Sequence, residues 1–304
     1  MTEITKEIFR KYEVRKTKKQ KTAFIKFVTE KANELGYKVT VEKGAFGARN
    51  IVIGDVDSAK AIYAAHYDTC AVLPFPNFIT PKCFLLYLLY QLLITIIFFA
   101  VAFVAGVAAS LFNVGVWVAL PILYVVIFAL LGLMLFGPAN KHTANDNTSG
   151  VTVLLDIMAS IDENNKQNAA FIFFDLEEAG LIGSSAFASK HKNIKKEKLL
   201  INFDCVSDGD DVLLILPKKA HYLSDKFNSA FKGDGKINIE VVTKGVFYPS
   251  DQASFKKGVG VAAFRKTKHG LLYLNRIHTK KDTVYEQKNI DFLKTGSLKL
   301  LELL

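Results

Sequence analysis

FIFFDLEEAGLIGS, residues 171–184, decides the fold. Four large apolar residues in a row, Phe171 to Phe174, suit a strand buried on both faces. Two adjacent carboxylates, Glu177 and Glu178, follow its end, and a helical stretch spans 180–191. The same pattern recurs elsewhere: AIYAA (61–65) runs into His66-Tyr67-Asp68, and LLINF (199–203) runs into Asp204. Further short β-type runs lie at 37–41, 50–54, 212–216, 239–243 and 260–264, while 4–34 and 151–161 read as helical. Asp208-Gly209-Asp210-Asp211 has some look of a calcium loop but lacks its remaining ligands, and reads as a hairpin turn between strands. Strands alternating with helices predict an α/β fold with a mixed, largely parallel central sheet flanked by helices.

In open α/β sheets ligands bind at the carboxyl ends of the strands. Three buried strands here bring His66, Glu177-Glu178 and Asp204 to that one edge. Two polar segments join them: ANDNTSG (144–150), just ahead of a helix, and IHTKKDT (277–283). Singly, each has a bland reading. His66 could be a core histidine, Asp146 a helix N-cap, Glu177-Glu178 solvated charges, Asp204 a turn residue and His278 a surface residue. Jointly those readings need five coincidences at strand ends.

HYD, ANDNTSGV, LEEAGLIGS, NFD and IHTKKDT, in that order, resemble the M28 family of zinc aminopeptidases. Ser250-Asp251-Gln252 resembles a further loop of the family, with Gln252 where His is common. The resemblance implies two zinc ions, with cobalt or manganese also suited to the ligands. It makes His66 and Asp204 ligands of the first metal, Asp146 the bridge, and Glu178 and His278 ligands of the second. It makes Glu177 the general base and Asp68 a supporting carboxylate behind the His66 ring. The chemistry is consistent with those roles. One carboxylate can bridge metals about 3.5–4 Å apart, and neighbouring residues at a strand end point to opposite sides, so Glu178 can ligate while Glu177 stays free. Three carboxylate ligands set −3 against the +4 of two zincs. The implied activity is removal of N-terminal residues from peptides. A single-zinc acyltransfer enzyme of the glutaminyl-cyclase kind and a non-catalytic membrane scaffold are the alternatives.

The chain has 304 residues, 50% hydrophobic and 22% charged, with a net charge of +10. That composition excludes disorder. Three cysteines, Cys70, Cys83 and Cys205, are too few for a disulfide framework and read as reduced thiols. The charge is unevenly spread: Cys83 to Asn140 contains no Asp, Glu, Lys or Arg. Two runs, 83–112 and 114–138, each exceed the ~20 apolar residues that cross a bilayer. Asn113-Val114-Gly115 would form the turn between them, and Tyr87, Tyr90 and Trp117 suit membrane interfaces. Lys82 and Lys141 flank the pair, and residues 1–43 hold twelve Lys/Arg against six Glu, with KTKKQK at 16–21. The positive-inside rule then gives a two-span protein of the cell membrane whose catalytic part faces the cytoplasm. The expected organisation is a catalytic domain in two parts, 1–82 and 138–304, interrupted by a membrane hairpin at 83–137. The expected partners are the lipid bilayer and peptide substrates, membrane-proximal or apolar. No nucleic-acid motif accompanies the basic residues, and none is expected as a partner.

Overall fold

The computed structural model describes residues 1–110, 116–233, 235 and 237–304, without the side chains of Val116 and Ala119. The turn expected at Asn113-Val114-Gly115 lies outside the described residues. The strands are β1 (Val39–Lys43), β2 (Arg49–Ile53), β3 (Ala61–His66), β4 (Ala169–Phe174), β5 (Leu199–Phe203), β6 (Asp211–Ile215), β7 (Asn238–Val242), β8 (Lys257–Lys266) and β9 (Leu272–Tyr273). The helices are α1 (Glu3–Glu7), α2 (Lys18–Glu34), α3 (Phe84–Ser110), α4 (Val116–Phe136), α5 (Gly150–Ser160), α6 (Ile182–Lys190), α7 (Lys192–Glu197), α8 (Ser224–Ala230) and α9 (Gln287–Leu303).

One mixed sheet runs in the order β1-β2-β4-β3-β5-β8-β6-β7, with β9 against β8. Its centre, β4-β3-β5-β8, is parallel. β1, β2 and β6 join by antiparallel pairing. Alternation along the central strands splits the core in two. Tyr63, Phe171 and Phe173 pack with Phe24 of α2, Leu154 of α5 and Ile290 of α9. Ile62, Ile172 and Phe174 pack on the opposite face with Phe187 of α6 and Ile194 of α7. Both faces are therefore dry, which is why the central strands read as unbroken apolar runs.

Two local expectations are corrected. Residues 4–34 do not form one helix. The chain leaves helical geometry after Tyr12 and restarts at α2, where Thr17 and Gln20 form a reciprocal capping box. Asp208–Asp211 is not a hairpin turn, because β8 lies between β5 and β6 and pairs with both.

The charge-free segment, which follows β3 and precedes α5 in the chain, forms α3 and α4, packed along one another. Helix α3 has mean hydropathy 2.8 over its most apolar window, which is only 6% buried. By length and composition it can cross a membrane, whereas soluble core helices are mostly buried. Within α4, Leu120–Phe136 counts as a shorter apolar helix.

Gly183 allows α6 to start directly over the end of β4. A Cβ there would lie 2.1 Å from the Asp175 carbonyl oxygen. Gly183→Ala is expected to cost about 1–3 kcal/mol through overpacking, measured as a lower thermal midpoint in detergent. An unchanged midpoint would contradict so close an approach.

Candidate active site

Because β3, β4 and β5 are parallel, their carboxyl ends share one edge, and the side chains expected there converge. His66 Nε2 lies 3.2 Å from Asp146 Oδ1 and 3.5 Å from Asp204 Oδ1. His278 Nε2 lies 3.2 Å from Asp146 Oδ2 and 3.1 Å from Glu178 Oε2. Asp146 thus turns one oxygen toward each histidine. Glu177 groups with His66 and Glu178, so its carboxylate stands beside both clusters.

The loop carrying Asp146 is held from all sides. Asp282 accepts hydrogen bonds from the N–H of Asn145 (2.8 Å) and of Asp146 (3.0 Å). Asn145 Oδ1 accepts from the N–H of Ser207 and Asp208. Asn147 donates to the Phe203 carbonyl and accepts from Gly150 N–H. Gly150 is required here, since a Cβ would lie 2.3 Å from the Phe203 oxygen. Leu176, Cys205 and His278 adopt left-handed backbone at φ 55°, 56° and 63°. Such non-glycine strain is held by surrounding contacts and concentrates at functional sites.

Asp68 does more than support His66. Its two oxygens accept the N–H groups of Glu177 (3.0 Å) and Glu178 (3.3 Å). His66 Nδ1 lies 3.2 Å from the Asp68 carbonyl and 3.6 Å from its carboxylate, so the carbonyl is the nearer hydrogen-bond acceptor. A proton on Nδ1 leaves Nε2 free as a ligand. Gln252 is occupied within the framework, accepting from Asn202 and donating to the Tyr248 carbonyl.

Several residues escaped the motif reading. Cys70 lies with Glu178 and His278 at metal-ligand spacing. Asp282 sits in the IHTKKDT segment, but its role as clamp of the Asp146 loop needs the fold. Arg15 is fully buried beside the site. It donates to the carbonyls of Tyr12 and Tyr67 and to Thr148 Oγ1 of the Asp146 loop. Nothing in the sequence separates it from its basic neighbours. Lys21 is buried against Asp175, which leads into Glu177-Glu178.

The electrostatics are those of a site built around cations. Burial opposes protonation of His66, but Glu177, Asp146 and Asp204 outweigh it and hold the imidazole well above its usual range. His278 is likewise raised despite burial, by Glu178 and Asp146. Burial, reinforced by neighbouring carboxylates, raises Glu177 and Glu178. It pushes Asp251 up to about 7. His66 Nε2, Glu178 Oε1 and Asp204 Oδ1 are buried without a hydrogen-bond partner. Orphaned buried polar atoms are costly. Ligand atoms about 2.1 Å from a tetrahedral cation stand about 3.4 Å apart, close to the separations seen here. The donor set fits zinc.

Residues 127–299 match the model of peptidase family M28. In fold the chain is similar to a Zn-dependent exopeptidase from Parabacteroides distasonis, with TM-score 0.58 and 16% identity over 99% of this chain and 94% of that one. It is also similar to a leucine aminopeptidase precursor from Bacteroides thetaiotaomicron, with TM-score 0.55 and 16% identity over 98% and 93%. A glutaminyl cyclase from Porphyromonas gingivalis gives TM-score 0.56 and 14% identity over 99% and 95%. At such identities the likeness is one of fold. Among curated proteins none matches the chain in sequence.

Against burial, the histidines hold Asp146 low, and Asp68 is also lowered, so above the unfolded carboxylate range both are ionised in either state. There the metal-free site, with Glu177, Glu178, Asp251 and both histidines raised, binds more protons than the unfolded chain. Its stability therefore falls as pH rises from the unfolded carboxylate range toward the raised folded values, such as about 7 for Asp251. Bound cations replace those protons. Chelation is expected to lower the thermal midpoint more at pH 8 than at pH 5.5. An equal drop at both pH values would contradict this charge balance.

Proposed function

As the chain belongs to peptidase family M28 and is a zinc-dependent metallopeptidase, we propose that it is a membrane-held di-zinc aminopeptidase with Glu177 as general base. The observation that carries this reading is the Asp146 carboxylate, with one oxygen 3.2 Å from each of two histidines. His66, Asp146 and Asp204 would hold one ion, and Asp146, Glu178 and His278 the other. Bound zinc would polarise the scissile carbonyl and make water a usable nucleophile near neutral pH. Glu177 would take the proton from water and deliver it to the leaving amine. Its raised affinity for protons, set by burial and by Asp204 and Glu178, suits that shuttle. Asp68 would keep Glu177 and Glu178 in place through their backbone N–H groups.

Glutaminyl-cyclase folds are as similar to this chain as aminopeptidase folds, so fold does not choose between the two chemistries. The presence of donors for both ions favours the peptidase over a single-zinc acyltransfer enzyme.

Helices α3 and α4 would cross the bilayer as a hairpin, with both flanks on the cytoplasmic side. The connections that lead into and out of them pass the site. Val72 N–H donates to the Pro138 carbonyl and Asn140 N–H to that of Cys70, so the connection after β3 pairs with the one that follows α4. Leu73 N–H donates to the His278 carbonyl. A cavity of about 380 Å³ runs from Glu178 and His278 to Met134, Leu135 and Phe136 at the end of α4. A second, of about 260 Å³, reaches Asp146 and Glu177 from the Tyr248 side. The apolar wall of the first cavity supports a preference for peptides with apolar ends presented at the membrane.

Glu177→Gln is expected to keep its metal and lose about 10²–10⁴-fold in kcat, the range for general acid–base catalysis; normal turnover would overturn the assigned role. Reconstituted in liposomes, the enzyme should cleave free-amino peptides with apolar N-termini faster than charged ones, and should not cyclise N-terminal Gln. Pyroglutamate formation, or equal rates for apolar and charged peptides, would count against this reading.

A further inference from the structure

Phe46 stands at the tip of the β1–β2 connection, 88% exposed. A single exposed apolar residue is ordinary, but this one is also in left-handed backbone, at φ 53°. A non-glycine residue disfavours that conformation, so the loop holds a bulky ring outward against both hydration and backbone preference. The loop lies on the catalytic edge of the sheet. β2 runs antiparallel to β4, and Arg49, where β2 begins, donates its backbone N–H to Asp175 just beyond the end of β4.

The surroundings of Phe46 are basic. Lys43, Lys18, Lys16 and Arg49 line the depression beside it, and the carboxylate there, Asp175, is already paired with Lys21. Arg49 donates to Thr22 Oγ1 and to the Lys18 carbonyl, which locks the start of α2 to the loop. Lys16 then donates its ammonium to the Leu135 carbonyl at the end of α4. Basic side chains thus lead from Phe46 to the end of α4.

We infer that Phe46 and its basic surround form a second membrane contact, which lays the catalytic edge against anionic lipid headgroups. This rests on the reading that α3 and α4 span the bilayer. The chemistry is that of interfacial anchoring: an aromatic ring enters the boundary of the acyl region while Lys and Arg meet anionic headgroups. With α4 fixed at one side of the cleft and Phe46 at the other, the mouth of the cavity beside Glu178 would open along the headgroup layer rather than toward bulk water.

The test uses the full chain in bilayer discs with bromine-labelled acyl chains, made of neutral phosphatidylcholine alone or mixed with anionic phosphatidylglycerol. Trp117, the single tryptophan, is replaced by Phe, and Phe46→Trp supplies the probe. The expected result is a blue shift and loss of Trp emission in anionic discs, diminished in neutral discs and by Lys18→Glu with Lys43→Glu. If the chain stays with the discs while the emission matches that of a water-exposed indole, the contact is refuted and the anchor stands. Equal quenching in neutral and anionic discs would refute the headgroup recognition. If the chain does not co-fractionate with the discs, the spanning reading fails and the contact with it.

Discussion

The Asp146 carboxylate, set between His66 and His278, is the contact around which the rest of the site is arranged. Both histidines and the four carboxylates Asp146, Glu177, Glu178 and Asp204 crowd one sheet edge where water is scarce. Charges taken out of water cost several kcal/mol each unless matched. Hydrogen bonds among these groups meet only part of that cost, since buried donor and acceptor atoms remain without partners. Metal in that space would resolve the balance, and would account for the local structure that holds acidic groups together. Asp282 grips the Asp146 loop, Asp68 grips the Glu177-Glu178 turn, and Arg15 joins the Asp146 loop to the N-terminal segment.

That arrangement constrains where the apolar helices can be. They enter the chain after His66 and leave before Asp146, and the connections on either side of them, at 70–73 and 138–140, hydrogen-bond to each other and, through Leu73, to the His278 carbonyl. The apolar helices are thus tied, through these connections, to the loop that carries His278.

The parts legible in the sequence were those where chemistry dictates residue type. Ligation needs His, Asp or Glu, and a strand buried on two faces needs an apolar run, so HYD, LEE, NFD and the charge-free segment stood out. The parts that were not legible depend on which distant residues meet. Arg15 looks like any other residue of a basic stretch until its donors find the carbonyls of Tyr12 and Tyr67. The break before α2 was hidden because a capping box competes with apolar periodicity that continues on both sides of it. The Asp208–Asp211 turn was misread because proximity in sequence suggested pairing of β5 with β6, whereas β8 inserts between them. Cys70 carries no motif, and its closeness to Glu178 and His278 appears only once the connection after β3 is tied, through Leu73, to the His278 carbonyl.

The account stands or falls on Asp146 as a shared ligand, and native mass spectrometry of metal content tests this most directly. The unmodified chain is predicted to carry two zinc ions, Asp204→Ala and His278→Ala one each, and Asp146→Ala none. A folded Asp146→Ala protein that keeps the full metal content of the unmodified chain would contradict it.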